Sequence, residues 1–482
     1  MKTNLNVDTK ALREKILDLA MRGKLVKQDA GDEPASVLLE KIKAEKAELV
    51  KEGKIKKSQK LPEITDDEKP FDIPDSWEWV RLGDVSSIHN GDRGKNYPAK
   101  KYWIEEGIPF VNAGALGNSM IVDHQQLNYI SEDRYKMLRA GFINKGDIFF
   151  CIRGSLGKCA ISDIEIGAIA SSLAIIRVIL LSTEYVYFAL RSSLGEMFIN
   201  EHRNGSAQPN IPGKDLYNFL IPLPPLAEQK RIADKVSELF KQVDVIEKNV
   251  AEYQDLEQAM RSKLLDLAMR GKLVEQDTSD EPASELLKQI QVEKAELVKE
   301  GKIKKSKKLP EITDDEKPFD IPDSWEWVKL ENVAYTIGNK KNQIKESNVV
   351  PSGKYKVVSQ SQKMIIGYTD DEDKVLKISK DCLVFGDHTA IVKYVDFDFV
   401  IGADGVKIFE CLPSMYTKYL FYALSYNLIG ISSIKGYSRH YKYIKEKLIP
   451  LPPLAEQKRI ADKLTRLFED LDTIKQNLAT VS

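Results

Sequence analysis

The chain has 482 residues, 42% of them hydrophobic and 30% charged. That length accommodates about two to four domains with separate cores. A net charge of −1 supplies none of the global basic excess that marks a lone nucleic-acid binder, although a patch on one surface remains compatible with it. Four cysteines (Cys151, Cys159, Cys382 and Cys411) show no close pairing motif and read as small buried side chains. No apolar run reaches about 20 residues, and the polar start MKTNLNVDTK carries no signal peptide. A soluble, cytoplasmic protein is expected.

Two blocks recur. Lys15–Val80 returns as Lys263–Val328 with only 10 differences in 66 positions. Ile221–Lys235 (IPLPPLAEQKRIADK) returns letter for letter as Ile449–Lys463. Between the copies lie two unlike stretches, Leu82–Leu220 and Leu330–Leu448. The pattern describes two variable modules on one duplicated frame. Ser482 aligns with Gln254, and Val7–Arg22 aligns with Asp255–Arg270, so the repeat is circularly permuted. The N- and C-terminal helices are therefore expected to meet and imitate the unbroken central one, giving a pseudo-twofold molecule.

In chain order, Leu12, Ile16 and Leu19 mark the end of a helix that Gly23 closes. A shorter helix follows Asp32-Glu33-Pro34 and runs through LVKEG. The basic run KIKKSQK reads as a solvated connector, with a phosphate-contacting arm as the alternative. The acidic EITDDEKPFDIPDSWEWV then leads into the first module, where Trp77 and Trp79 alternate as a first strand and anchor module to frame. Within the module, Gly146–Ile152 and Leu173–Val178 are strand-like, and Ser182–Asn200 is helical. Pro222, Pro224 and Pro225 rule out a strand interior and favour helix entry. Ile232, Val236, Leu239, Val243, Ile246, Val250 and Tyr253 then form a heptad seam. Past Tyr253 the phase slips to Leu256, Met260, Leu264 and Leu267 until Gly271. From Leu226 to Arg270 the helix would extend about 68 Å.

The second copy repeats the short helix, the connector (KIKKSKK) and the Trp325/Trp327 pair. In the second module Tyr355–Ser359, Cys382–Phe385, Ile391–Tyr394 and Gly405–Phe409 are strand-like, and Tyr416–Ile429 is helical. The helix comes late in both modules, so they are expected to share a fold. The final helix keeps the seam at Ile460, Leu464, Leu467, Leu471, Ile474, Leu478 and Val481. The implied domains are 1–80 (frame and connector), 81–221 (first module), 222–328 (central frame and connector), 329–449 (second module) and 450–482 (a helix pairing with the N-terminal one).

Several loops carry side chains suited to DNA. Arg and Lys match guanine edges and phosphates, and Asn and Gln match adenine. In the first module these are Arg93, Lys95 and Asn96; Arg153, Ser155 and Lys158; and Arg203, Ser206, Gln208 and Asn210. In the second they are Asn339, Lys340, Lys341 and Asn342; Gln360 and Gln362; His388 and Thr389; and Tyr437, Ser438, Arg439, His440 and Tyr441. Each loop alone also reads as plain surface, and recurrence at matching places is what singles them out.

No catalytic, cofactor-binding or metal-ligating set emerges. Asn96-Tyr97-Pro98 lacks the N/D-P-P-Y/F arrangement of an amino-methyltransferase. Gly154–Lys158 is too short for a phosphate-binding loop, and Glu372-Asp373-Lys374 reads as a solvated turn. The histidines (His89, His124, His202, His388 and His440) lack ligand spacing.

The duplicated IPLPPLAEQKRIADK, the long helix after it, the KLLDLAMRGKLV ending and the DEPAS-LL segment resemble the specificity subunits of type I restriction-modification systems, over essentially the whole chain. The resemblance implies a mixed α/β fold in which two target-recognition domains are separated by two long antiparallel coiled-coil helical regions. It implies a non-catalytic chain that reads a bipartite, asymmetric double-stranded DNA site. Two methyltransferase subunits using S-adenosylmethionine would dock on the frame. Restriction subunits using ATP and Mg²⁺ could join them. No cofactor would be bound by this chain itself. Paired rods would hold the readers roughly one helical turn of DNA, about 34 Å, apart. The rival from another class is a coiled-coil scaffold whose modules bind proteins.

Overall fold

The computed structural model describes residues 7–56, 61–117, 119–204, 209–305, 309–338, 340–403, 405–429 and 439–481. Asp8–Lys248 forms one compact unit, and Asn249–Ser482 makes up most of the other. The division falls inside one continuous helix, Leu226–Met269. Both units have the same chain order. The first runs from helix Thr9–Met21 through helix Ala35–Lys51, strand Glu78–Arg81, the module and strand Leu220–Leu223 into the first half of the long helix. The second runs from the other half of that helix through Ala283–Lys299, Glu326–Lys329, the module and Leu448–Leu451 to helix Leu454–Val481. This is the permuted repeat in three dimensions.

In each unit a terminal helix lies against one half of the long helix. Arg261 Nη2 meets Asp472 Oδ1 at 2.6 Å, and Lys475 Nζ meets Glu257 Oε2 at 2.9 Å. Rising numbers on one helix face falling numbers on the other, so the pair is antiparallel. The first unit repeats the contact: Arg13 Nη2 lies 2.6 Å from Asp244 Oδ1. Each arginine also covers an aromatic ring, Phe240 at 5.0 Å and Phe468 at 4.9 Å.

The apolar seam is shorter than its heptads suggest. Ile232, Val236 and Val243 are buried, as are Ile460, Leu464 and Leu471. Ile246, Ile474 and Leu478 are instead 36%, 49% and 43% exposed. In the second unit charged side chains take over the interface at that level, where Glu257 and Lys475 are 10% and 8% exposed. Leu256 and Met260 also face outward, and the long helix buries Leu265, Ala268 and Met269 rather than Leu264 and Leu267. The inner face is turned by one residue because Leu286 and Ile290 of the short helix share a core with Leu265, Ala268 and Met269.

The prolines also differ from expectation. Pro222 and Pro450 sit inside short strands, opposite Trp79 and Trp327. A ribbon of only two strands tolerates this, since a strand with one free edge can point the missing N–H position outward. The long helices begin just after, at Leu226 and Leu454, as the proline signal implies.

Trp77 and Trp325 precede their strands rather than beginning them. Their indole N–H groups donate to the buried carboxylates of Glu228 and Glu456, both at 2.9 Å. The same carboxylates accept from Gln28 at 2.6 Å and Gln276 at 2.5 Å. One turn further, Arg231 and Arg459 hold Asp32 and Asp280 at 2.6 Å. Near-identical letters thus give the same local bonding in both units.

Among the described residues each module has two sheets. In the first, Ser86–Asn90, Leu173–Val178, Ile148–Cys151 and Cys159–Ile161 lie side by side in that order; in the second, Ala334–Ile337, Val406–Cys411, Cys382–Gly386 and Ile391–Val395 do so. Beside them are Asn128–Ile130, Ile108–Val111 and Ala168–Ile169 in the first module. The second module has Gln343–Ile344, Val400–Gly402, Tyr355–Val358 and Gly367–Thr369. The modules share a fold although their letters differ. The helix expected at Ser182–Asn200 is two, Thr183–Arg191 and Ser193–His202. Ser192 breaks it in extended conformation, and its hydroxyl caps the next helix by accepting from Leu194 N. Modules are not beads on a linker: one core joins Leu17, Met21, Trp77 and Ile232 of the frame to Phe150, Tyr185 and Phe198 of the module.

Candidate nucleic-acid interface

The main sheet of each module has a frame end and a free end. In the first module Ser86 pairs with Val178, and the adjoining Ile179 N–H donates to Val85 O where the chain enters and leaves the frame. At the opposite end Asn90 pairs with Ala174 and Cys151 with Leu173. The loops after Asn90, after Cys151 and before Leu173 therefore leave together. In the second module Ala334 pairs with Cys411 at the frame end, and Gly386 pairs with Val406 at the free end. The same loops emerge there.

The first module's cluster forms around Arg153. Its half-buried guanidinium donates through Nε to Asn210 Oδ1 at 3.4 Å, and Gly154 N–H donates to Pro209 O at 3.0 Å. Arg203 comes just before Asn204, which exchanges backbone bonds with Asn210 at 2.9 Å. Arg93 reaches Ser171 O at 3.5 Å. Its loop folds because Asp92 accepts from Gly94 N at 2.7 Å and Arg139 N at 2.9 Å, and these N–H groups hold its carboxyl below the usual range. Gly91 permits the close approach: a Cβ there would lie 2.5 Å from Ala170 O. Arg93, Lys95, Ser155, Lys158 and Arg203 are exposed. Asn96 is not displayed in the same way, since its amide donates to Met137 O at 3.0 Å. Ser206 and Gln208 lie outside the described residues.

The second module's cluster is more tightly tied. His388 N–H donates to Gln360 Oε1 at 3.2 Å, and Thr389 Oγ1 donates to Gln360 O at 2.7 Å. Gly405 takes φ +84°, and a Cβ there would come within 2.6 Å of His388 Cδ2. Asp387 bridges to the third loop: its carbonyl accepts from His440 N at 2.7 Å and its carboxylate from Tyr441 N at 2.8 Å. The Tyr441 ring stacks on Phe409 at 5.9 Å. Gln360, Gln362, His388, Thr389, Arg439 and Tyr441 are thus brought to one end. Gln362, Thr389 and Arg439 are exposed there, whereas the His440 side chain is buried.

Lys340, Lys341 and Asn342 form a turn in the loop after strand Ala334–Ile337. Asn342 donates to Lys374 O and Val375 O, fastening the 340–342 turn to the 372–374 turn. Its amide is engaged with backbone, which the letters alone do not reveal. Asn339, Tyr437 and Ser438 lie outside the described residues, as does most of the basic connector at 57–60 and 306–308.

Some cations escaped the loop pattern. Lys407 is exposed, and its ammonium sits 5.4 Å from the centre of the Tyr441 ring. In the first module Arg134 and Lys101 lie 3.7 and 4.9 Å from the Tyr102 ring centre. Only folding brings Arg134 to Tyr102, so no local motif marks the pair.

The cysteines fit the small-side-chain reading. All four are buried and free, and burial pushes Cys159, Cys382 and Cys411 up to about 12. Among the described residues, no group of three or more His, Cys, Asp or Glu side chains could hold a metal ion.

Comparison with known proteins agrees with this geometry. The model of the type I restriction modification DNA specificity domain matches twice, at residues 74–254 and 322–482. The chain is 31% identical over 558 residues to the specificity subunit of the type I restriction enzyme EcoAI of Escherichia coli, covering 98% of this chain and 91% of that one. It is 36% identical over 377 residues to the EcoEI specificity subunit of Escherichia coli, covering 67% of this chain and 61% of the relative. A chain solved in work on complex assembly and conformational transition of the type I R-M system shares the fold at a TM-score of 0.54 and 21% identity, covering 86% of this chain and 95% of that one. Two matches, each spanning one module and the helix after it, leave one assignment: the chain belongs to the family of type I restriction-modification DNA specificity subunits.

Proposed function

We propose that the two loop clusters read the two halves of a split, asymmetric DNA site, while the duplicated frame fixes the unread spacer and docks partner subunits. The supporting observation is that unlike loops leave the same end of two modules of one fold, each fused to a nearly identical frame. In the first module Arg93, Arg153 and Arg203 supply the guanidinium groups suited to guanine edges and phosphates, with Lys95 and Lys158 beside them. In the second, Gln360, Gln362, Thr389, Arg439 and Tyr441 supply amide, hydroxyl, cationic and aromatic groups. Different side chains at equivalent places imply different half-sites and a site without palindromic symmetry.

The chain itself is non-catalytic in this reading. Methyl transfer belongs to two methyltransferase subunits using S-adenosylmethionine, one on each frame copy. Cleavage belongs to restriction subunits using ATP and Mg²⁺. The assembly works on DNA in the cytoplasm; no helix among the described residues is long and apolar enough to cross a membrane. Methylome sequencing of the host with and without this chain tests the proposal. The expected result is a two-part adenine-methylated motif with unlike halves that disappears on deletion. An unchanged methylome would contradict it.

A further inference from the structure

We propose that Lys393 is the positioning residue for the second module's Ser359–Lys363 loop and thereby a determinant of which bases that module accepts. The inference rests on the reading of the chain as a DNA specificity subunit and adds a residue outside the loops themselves.

Lys393 lies in strand Ile391–Val395, opposite Val384, and is only 5% exposed. Its ammonium donates to Ser359 O at 2.7 Å and to Lys363 O at 2.5 Å. These carbonyls bracket the loop, so one cation beneath the sheet edge fixes both ends of a five-residue turn. Between them, Gln360 and Gln362 are held at set positions, with Thr389 gripping Gln360 O from the side. Ser361 N–H closes the turn on Ser359 Oγ at 3.2 Å. A buried ammonium is costly unless its donors are matched, so the loop carbonyls and the cation each need the other. Burial pulls the Lys393 pKa down to about 8, and the two loop carbonyls are what hold the cation there.

The first module solves the same problem differently. The equivalent cross-section places Ala160 opposite Phe149, where the second module has Lys393 opposite Val384. Ala160 shares an apolar core with Ala115 and Leu116 of the corresponding loop, and Asn112 caps that turn by accepting from Gly114 N at 2.8 Å. One module seats its loop by apolar packing and the other by a charged peg. Lys393 therefore belongs to the recognition design of one module rather than to the shared fold.

Selection of random duplexes by the full chain in its native assembly tests the proposal. Lys393→Met keeps the apolar stem and removes the donors. Its expected effect is about a tenfold loss of preference at base pairs of one half-site, with the other half-site unchanged. Hydrogen exchange of the 359–363 amides should accelerate in the same variant, and Lys393→Arg, which keeps cationic donors, should restore the wild-type motif. A wild-type motif selected unchanged by Lys393→Met overturns the role of Lys393 alone. Loss of both half-sites together in Lys393→Met and in the milder Lys393→Gln marks a fold element and also overturns it. A wild-type assembly that selects no motif overturns the specificity reading, and the role of Lys393 with it.

Discussion

Replacing Lys475 with methionine removes one of two cations that hold the Glu257 carboxylate inside the second unit's helix pair. Glu257 accepts from Lys475 Nζ at 2.9 Å on one oxygen and from Arg261 Nε at 3.0 Å on the other. Breaking a buried ion pair typically costs about 3–5 kcal/mol, because the remaining charge is left uncompensated. Here Arg261 stays, although it is shared with Asp472, so the loss should approach that of one charge-assisted hydrogen bond, about 1.5–3 kcal/mol. A loss of about 2 kcal/mol is roughly a 30-fold change in an opening equilibrium. Native-state hydrogen exchange reads it locally: amides of Leu454–Val481 should exchange about 30-fold faster, while those of Thr9–Met21 stay unchanged. The contrast arises because the first unit has Glu247 at the position of Lys475, and that carboxylate pairs with Arg13 at 3.2 Å. The double variant Glu257→Leu with Lys475→Met removes both charges and should recover most of the loss.

The pH dependence has a definite sign. Burial pushes the Glu257 carboxyl up, but the Lys475 and Arg261 bonds outweigh it and leave the pKa below 4.5. A carboxyl lowered by folding adds stability above its unfolded pKa and loses it as pH falls through the folded value. The Lys475→Met penalty should therefore be complete at neutral pH and shrink below about pH 4. Unchanged exchange in the single variant, or an equal loss in the double, would refute this account of the helix pair.

Trp77→Phe and Trp325→Phe each remove an N–H donor from a buried carboxylate, and each should cost about 1–3 kcal/mol in urea denaturation. Burial already raises the Glu228 and Glu456 carboxyls, and losing the indole bond raises them further. A raised carboxyl loses stability as pH climbs from the unfolded to the folded pKa, so both penalties should grow as pH rises above the usual glutamate range. A pH-independent penalty would count against a charged Glu228 and Glu456. In the long helix, four residues inserted near Tyr253 add about 6 Å of rise. The methylated motif of the host should then show a changed spacer and two intact half-sites, and an unaltered spacer would remove the frame from its role as a ruler.

The frame was legible in the letters because its signals are local and repeated. Prolines before Leu226 and Leu454 announce helix starts, and near-identical copies announce a second occurrence of every bond. Where the interface turns ionic, at Glu257, Arg261 and Lys475, heptad counting could not see that apolar Ile474 and Leu478 stay exposed. The modules were harder. Asn96 and Asn342 carry amides suited to adenine, and the backbone carbonyls to which they donate cannot be seen in the letters. Lys393 shows the converse: in the strand IVKYV it reads as an outward lysine, yet it is buried under a loop some 30 residues earlier in the chain. Partners supplied by distant segments leave no spacing to find.

Exchange of the first module, residues 82–220, for that of another specificity subunit tests the division of labour most directly. Methylome sequencing of a host carrying the hybrid should show one half-site replaced, with the other half-site and the spacer retained. A hybrid that alters both halves would contradict independent reading by two modules.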